Sequence, residues 1–266
     1  ARTPDTSQFG SAMAQQLLRA TSILVASTLF GQSAAFGTST HCARATAFAS
    51  AASLANSFIP VDRRNRVGAN VLKMSSSSSE SVKRVLVPIG DGSEEIETTC
   101  ITDTLTRFGA SVTVASVKPD GELVCTMSRG IKFLADATIA DAVNEEWDYI
   151  VCPGGVPGAK ALSACEPLME LMKKQNKLNK RYAAICAAPA LVLSPHGLAD
   201  DAATCYPAPD FIAALKSHSD DDVVVSGNMV TSKGPGTSLK FALQLGEELY
   251  GKEKADEIAE QMLVKR

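Results

Sequence analysis

Arg181-Tyr-Ala-Ala-Ile-Cys-Ala-Ala-Pro189 joins a short apolar run to a segment that can open a helix. Tyr182 to Ile185 is the right length for a buried strand, and proline is well suited to a first helical turn. Cys186 therefore falls at a strand-to-helix elbow. Ala183, Ala184, Ala187 and Ala188 relieve crowding at so sharp a turn, the need that glycines meet in a Gly-x-Ser-x-Gly elbow. Unpaired backbone amides and the helix dipole there favour thiolate over thiol. Taken alone, the competing role is that of a small buried hydrophobe, the ordinary fate of cysteines in apolar runs such as Tyr149-Ile-Val-Cys152.

Working outward, Lys83-Arg-Val-Leu-Val-Pro-Ile89 is a β-branched apolar run closed by Gly90-Asp-Gly92 and reads as a buried strand and turn. Ser93 is placed to cap a helix whose apolar face is Ile96, Cys100, Ile101, Leu105 and Phe108, ending at Gly109. Ser111 to Val117 is a second strand; Leu123–Met127 and Ile131–Leu134 form a hairpin-like pair across Ser128-Arg-Gly130. Asp148 to Cys152 is a buried strand ending in Pro153-Gly-Gly155, and a helix over about Pro167 to Leu178 leads into Tyr182–Ile185. Val223–Val225 and Met229–Thr231 flank Gly-Asn as a hairpin, and helices over about Thr237–Leu249 and Lys252–Val264 close the chain. Strands alternating with helices predict an α/β domain with a largely parallel sheet covered on both faces, and a site beyond the carboxyl ends of its strands.

Residues 1–80 read differently. They hold seven Lys and Arg and three Asp and Glu of the chain's 26 and 29, which leaves the remainder net −7. An acidic domain without a basic stripe argues against nucleic acid as the main partner. The run Ile23 to Phe30, with Ser33-Ala-Ala-Phe36 after it, reads as a secretory signal too short to anchor in a membrane. Gly37 to about Leu72, rich in Ala, Ser and Arg, has transit-peptide composition. Together they are expected to form a two-part plastid address, ending in the linker Ser75–Ser79 and giving way to one domain over 81–266. A mitochondrial presequence, a secreted protein, or a cytoplasmic one if the leader is not translated is the alternative. Seven cysteines without a Cys-x-x-Cys pair or His-x-x-x-His offer neither a zinc ribbon nor a thioredoxin motif and fit a reduced protein.

Three features fall at the predicted carboxyl edge: the turn leading to Glu97, Gly154-Gly155, and Cys186. The glycine pair can present amides to a developing oxyanion, or can serve only a tight turn. For Glu94 and Glu95 the better reading is favourable interaction with the helix dipole.

In order, Gly92-Ser-Glu-Glu-Ile-Glu97, Pro153-Gly-Gly155, Ala184-Ile-Cys-Ala-Ala-Pro189 and Thr231-Ser-Lys-Gly-Pro-Gly-Thr-Ser238 resemble the ThiJ/PfpI superfamily in its DJ-one branch, over about residues 83–266. The resemblance implies a flavodoxin-like three-layer sandwich, a homodimer, and neither metal nor cofactor. It assigns the nucleophile to Cys186, its carboxyl partner to Glu97, and the oxyanion amides to Gly155 and Ala187. Gly154, Arg129, Arg107 and Tyr206 correspond to residues lining the site or near it. Where many members carry His in Thr-x-His-Pro, this chain has Thr204-Cys-Tyr-Pro207, and a phenol titrating near its reference value of about 10 is no base at neutral pH. His41 is in the leader and His196 and His218 are expected in loops, so a Cys–His dyad is not supported. The protease-like branch has His directly after the cysteine; Ala187 stands there, which argues against peptide hydrolysis. The activity implied is glutathione-independent glyoxalase or deglycase-like detoxification of methylglyoxal and related reactive carbonyls. The alternatives are a redox sensor or chaperone acting through oxidation of Cys186, and a structural dimer with a vestigial site.

Overall fold

The structure is a computed structural model that describes residues 81–266. The expected leader and serine linker lie outside the described residues.

In chain order the elements are β1 (Arg84–Ile89), α1 (Glu95–Arg107), β2 (Ser111–Ser116), β3 (Val124–Thr126), β4 (Lys132–Leu134), β5 (Ala137–Thr138) and α2 (Ile139–Ala142). There follow β6 (Tyr149–Cys152), α3 (Val156–Ala164), α4 (Glu166–Lys177), β7 (Arg181–Ile185) and a π-helical turn over Pro189–Leu193. The chain closes with β8 (Ala202–Ala203), α5 (Pro209–Ala214), β9 (Ser217–His218), β10 (Val223–Ser226), β11 (Met229–Ser232), α6 (Ser238–Tyr250) and α7 (Lys252–Gln261).

Seven strands form the central sheet in the order β10-β11-β7-β6-β1-β2-β5, and every pairing in it is parallel except β10 with β11. Parallel strands need crossovers, and these carry the helices onto both faces. Helices α1, α6 and α7 pack together as one group and α2, α3 and α4 as another, which gives the flavodoxin-like layering. Strands covered on both faces read as continuous apolar runs, and β1, β6 and β7 are buried almost throughout. The chain leaves β1 for β2 on one side and returns to β6 on the other. This makes the β1/β6 boundary the topological switch point, where open α/β sheets bind ligands.

Three local expectations are corrected. The cap of α1 is Glu94, whose carboxylate accepts from the Glu97 amide at 2.8 Å, while the Ser93 hydroxyl instead accepts from the Gly90 amide at 3.0 Å and closes the preceding turn. Helix α3 was not anticipated, because its opening Val-Pro-Gly carries breaker residues that serve here as a first turn. His218 lies on β9 and His196 on a 3-10 turn over Ser194–His196, where its ring meets Ser163.

The α1–α6 contact is set by one missing side chain. Phe108 stacks on Tyr250 with centroids 5.8 Å apart, and its ring occupies the space beside Gly246, where an added Cβ would come within 2.1 Å of it. Gly246→Ala gains roughly 1 kcal/mol of helix propensity but overpacks a closed contact, a loss of about 1–3 kcal/mol. The overlap is too deep for the gain to win, so urea denaturation is expected to show a destabilised variant.

Candidate active site

Glu97 follows β1, Gly154 and Gly155 follow β6, and Cys186 follows β7. Since β1, β6 and β7 are neighbours, all three features converge at one sheet edge.

Cys186 has φ of 65°, left-handed backbone that costs a non-glycine residue about 1–2 kcal/mol. The cost is offset locally. The Cys186 amide donates to the Ser232 carbonyl at 2.9 Å, and its own carbonyl accepts from the Tyr206 amide at 2.8 Å, so β11 and the 204–207 segment hold the elbow from both ends. The small residues expected at this turn are buried alanines.

Gly154 and Gly155 do different work. A Cβ on Gly154 would lie 2.6 Å from Cys186 Cβ, 2.8 Å from Glu97 Oε2 and 2.9 Å from the Ile185 carbonyl. Only glycine lets the three strand ends close to this distance. Gly155 has φ of 82°, and a Cβ there would come 2.2 Å from the Gly92 carbonyl, so it needs both conformational freedom and space. The amides of Gly155 and Ala187 both act on the Cys186 sulfur to favour its charged form.

Glu97 is fully buried on α1. Its Oε2 accepts from the Gly154 amide at 2.7 Å, while Oε1 is buried without a conventional hydrogen-bond partner. Burial pushes the carboxyl up to about 7, against the Gly154 amide and the Cys186 thiol, which draw it down. A proton on Oε1 directed at sulfur would satisfy the otherwise orphan oxygen. Burial and then the Glu97 charge raise the Cys186 thiol too, and the Gly155 and Ala187 amides pull the other way. The expectation that the turn alone favours thiolate is thereby corrected: while Glu97 is ionised, its charge and the burial outweigh the two amides. The pair is best described as sharing one negative charge and one proton.

A cleft of about 450 Å³ opens on Cys186 and Ala187, bordered by Glu94, Gly155, the Met127–Arg129 turn, Tyr206 and Phe211. Glu97 and Gly154 are not among the residues that border it. Arg129 borders the cleft, with its Nη1 turned back onto the Ser128 carbonyl and hydroxyl at 3.3 and 3.4 Å. Arg107 does not border it. It sits at the far end of α1, ten residues and so about 15 Å along the axis from Glu97, and pairs with Asp103 at 2.7 Å. Neither His196 nor His218 lines the cleft.

Glu95 is a residue that sequence reasoning undervalued. It is buried and clamps the β3–β4 turn, accepting from the Ser128 hydroxyl at 2.9 Å and the Arg129 amide at 2.8 Å. Although burial opposes ionisation, its own backbone amide, Ser128 and Arg129 hold its carboxyl below the usual range. Those partners are more than thirty residues away, and no local pattern marks them.

The other described cysteines are also free thiols. Cys152 is the instructive contrast: fully buried against Met172, its thiol is pushed up to about 12 by burial alone, with no amide to oppose it. No group of three or more His, Cys, Asp or Glu among the described residues could hold a metal ion, and none of their helices is long and apolar enough to cross a membrane.

The model of the DJ-1/PfpI family matches residues 83–248, more than half of the chain and all of this constellation. The chain belongs to the DJ-1/PfpI family. Among its relatives in that family, Arabidopsis thaliana Protein DJ-1 homolog B is 45% identical over 194 residues, covering 73% of this chain and 44% of that protein. The chain thus spans less than half the length of that relative. Caenorhabditis elegans glutathione-independent glyoxalase DJR-1.2 is 36% identical over 176 residues, 65% of this chain and 91% of the relative. The solved structure of oxidized Toxoplasma gondii DJ-1 superposes with a TM-score of 0.67 at 42% identity, covering 70% of this chain and all of that one. The branch suggested by the motifs is therefore the right one.

Within this DJ-1/PfpI site, Gly154→Ala is the sharpest geometric test. Its methyl must separate Cys186 from Glu97. The expected result is a loss of about 1–3 kcal/mol in stability and disappearance of the inflection near pH 7 from the Cys186 alkylation profile. An unchanged profile would mean that the close approach is not what couples the two groups.

Proposed function

We propose that this chain is a cofactor-independent glyoxalase, with deglycase-like action on early carbonyl adducts, that uses Cys186 as nucleophile. The observation that carries this reading is the pairing of a sulfur, held between two amides, with a buried carboxyl that titrates near 7. A family relative named as a glutathione-independent glyoxalase supports it.

The chemistry needs no external electron carrier. The Cys186 thiolate adds to the aldehyde carbon of methylglyoxal, and the resulting oxyanion is held by the Gly155 and Ala187 amides. The proton that Glu97 held passes to this oxygen, and Glu97, now a carboxylate, takes the proton from that carbon to give an enediolate and returns it to the neighbouring carbon. The first carbon is oxidised to a thioester as the second is reduced to an alcohol. Water then cleaves the thioester, releasing lactate and regenerating the thiol. A general acid–base group works best with its pKa near the working pH, and a carboxyl at about 7 meets that condition. Lactate formation from methylglyoxal without glutathione is the direct test; no turnover would reject the reading.

A second reading has its own support, since the solved Toxoplasma gondii relative is described as oxidized. Two peroxide equivalents would convert the thiol to a sulfinate held by the same amides and by a protonated Glu97. Mass spectrometry after mild peroxide should find two added oxygen atoms at Cys186 ahead of the other cysteines; their even spread over all thiols would dismiss it.

The functional unit we propose is a homodimer, as the sequence resemblance implies, and its mass in solution tests this. We propose plastid delivery by residues 1–80, which a fluorescent fusion of that segment tests by its location.

A further inference from the structure

The cleft is larger and more apolar than a three-carbon dicarbonyl requires. Its volume, about 450 Å³, falls in the range of roughly 300–1,000 Å³ that accommodates drug-sized ligands. Met127, Val156, Pro157, Tyr206, Phe211 and Pro235 supply the larger apolar side chains of its wall.

Tyr206 is the centre of that wall. Its amide is tied to the Cys186 carbonyl at 2.8 Å, so the residue is fixed beside the nucleophile, yet its side chain leaves the residue 48% exposed. A large aromatic group kept half in solvent next to a reactive sulfur is apolar surface that a ligand can cover. Gly234 leaves room between the two: a Cβ there would sit 3.5 Å from Tyr206 Cδ2 and 3.9 Å from Cys186 Sγ, so ring and sulfur border the same gap. Phe211, on α5, extends the wall.

Charge argues in the same direction. Among the described residues lining the cleft the one cation is Arg129, and its guanidinium is turned onto its own hairpin. Glu94 borders the cleft, and the Cys186–Glu97 pair carries a negative charge, so an anionic substituent would be repelled.

Resting on the glyoxalase reading, we infer that Tyr206 and Phe211 form a specificity wall that favours α-oxoaldehydes carrying a bulky, uncharged apolar substituent over glyoxal itself. The aldehyde carbon reaches sulfur through the gap beside Gly234 while the substituent lies along the two rings.

The test compares kcat/KM for isobutylglyoxal and glyoxal in wild type, Tyr206→Ala, Tyr206→Phe and Phe211→Ala. The wild type is expected to prefer isobutylglyoxal by about tenfold, the scale of discrimination an apolar pocket gives. Tyr206→Ala and Phe211→Ala should each lower kcat/KM several-fold further for isobutylglyoxal than for glyoxal, while Tyr206→Phe keeps the ratio. Equal losses on both substrates in the two alanine variants would overturn the inference. A readout independent of turnover is the ratio of Cys186 alkylation rates by N-phenylmaleimide and N-methylmaleimide, mapped by peptide mass spectrometry. If wild type turns over no dicarbonyl but this ratio falls in both alanine variants, the glyoxalase reading fails and the apolar wall stands. If the ratio does not move, the wall itself is refuted.

Discussion

Cys186→Ser should abolish lactate formation from methylglyoxal, by roughly a thousandfold or more, while leaving the thermal midpoint near that of wild type. The size of the effect follows from chemistry rather than packing. A serine hydroxyl fills a similar space but does not ionise in this range, so the covalent adduct cannot form at a useful rate. The elbow depends on backbone bonds from Ser232 and Tyr206, which the substitution leaves in place. Retained turnover in a folded variant would remove Cys186 from the reaction and require another nucleophile for the same activity.

Glu97→Gln should separate two properties that a simple nucleophile would lose together. The amide keeps the size of the carboxyl and can still accept from Gly154, but it cannot ionise. Turnover should fall by about 10²–10⁴-fold, the contribution of a positioned acid–base group. Cys186 alkylation near neutral pH should meanwhile become faster, because the carboxylate charge that raises the thiol is gone and the Gly155 and Ala187 amides remain. Stability gives the second signature. Glu97 has a native pKa of about 7 against 4.5 as its ordinary value. Below pH 4.5 both folded and unfolded chains hold the proton. As pH rises to 7 only the unfolded chain releases it, so stability declines across that window by up to about 3 kcal/mol and is level above it. The variant should lack this decline. Parallel wild-type and variant curves of unfolding free energy from pH 4 to 8 would show that Glu97 is not the buried acid described here.

Much of this arrangement is legible in the chain itself. Buried parallel strands write themselves as continuous apolar runs, and Val85–Ile89, Tyr149–Cys152 and Tyr182–Ile185 were recognisable for that reason. Glycines that a turn or a close approach demands are equally visible, since no other residue would serve at Gly154 or Gly155. Helix α3 was missed because a Pro-Gly opening signals a break and a helix start with the same letters. Arg107 was drawn towards the site by motif correspondence, and only the length and direction of α1 put it elsewhere.

The acidic triplet shows where local reading ends. Glu94, Glu95 and Glu97 look alike on a helix's first turn, yet the first caps the helix, the second clamps a hairpin more than thirty residues away, and the third is buried against the nucleophile. Sequence by itself determined the α/β class, the family, and the position of one cysteine at a turn between strand and helix. Tertiary structure alone decided the charge state of that cysteine. A pKa depends on burial and on charges brought close in space, and Glu97 stands beside Cys186 only because β1, β6 and β7 end side by side at a glycine.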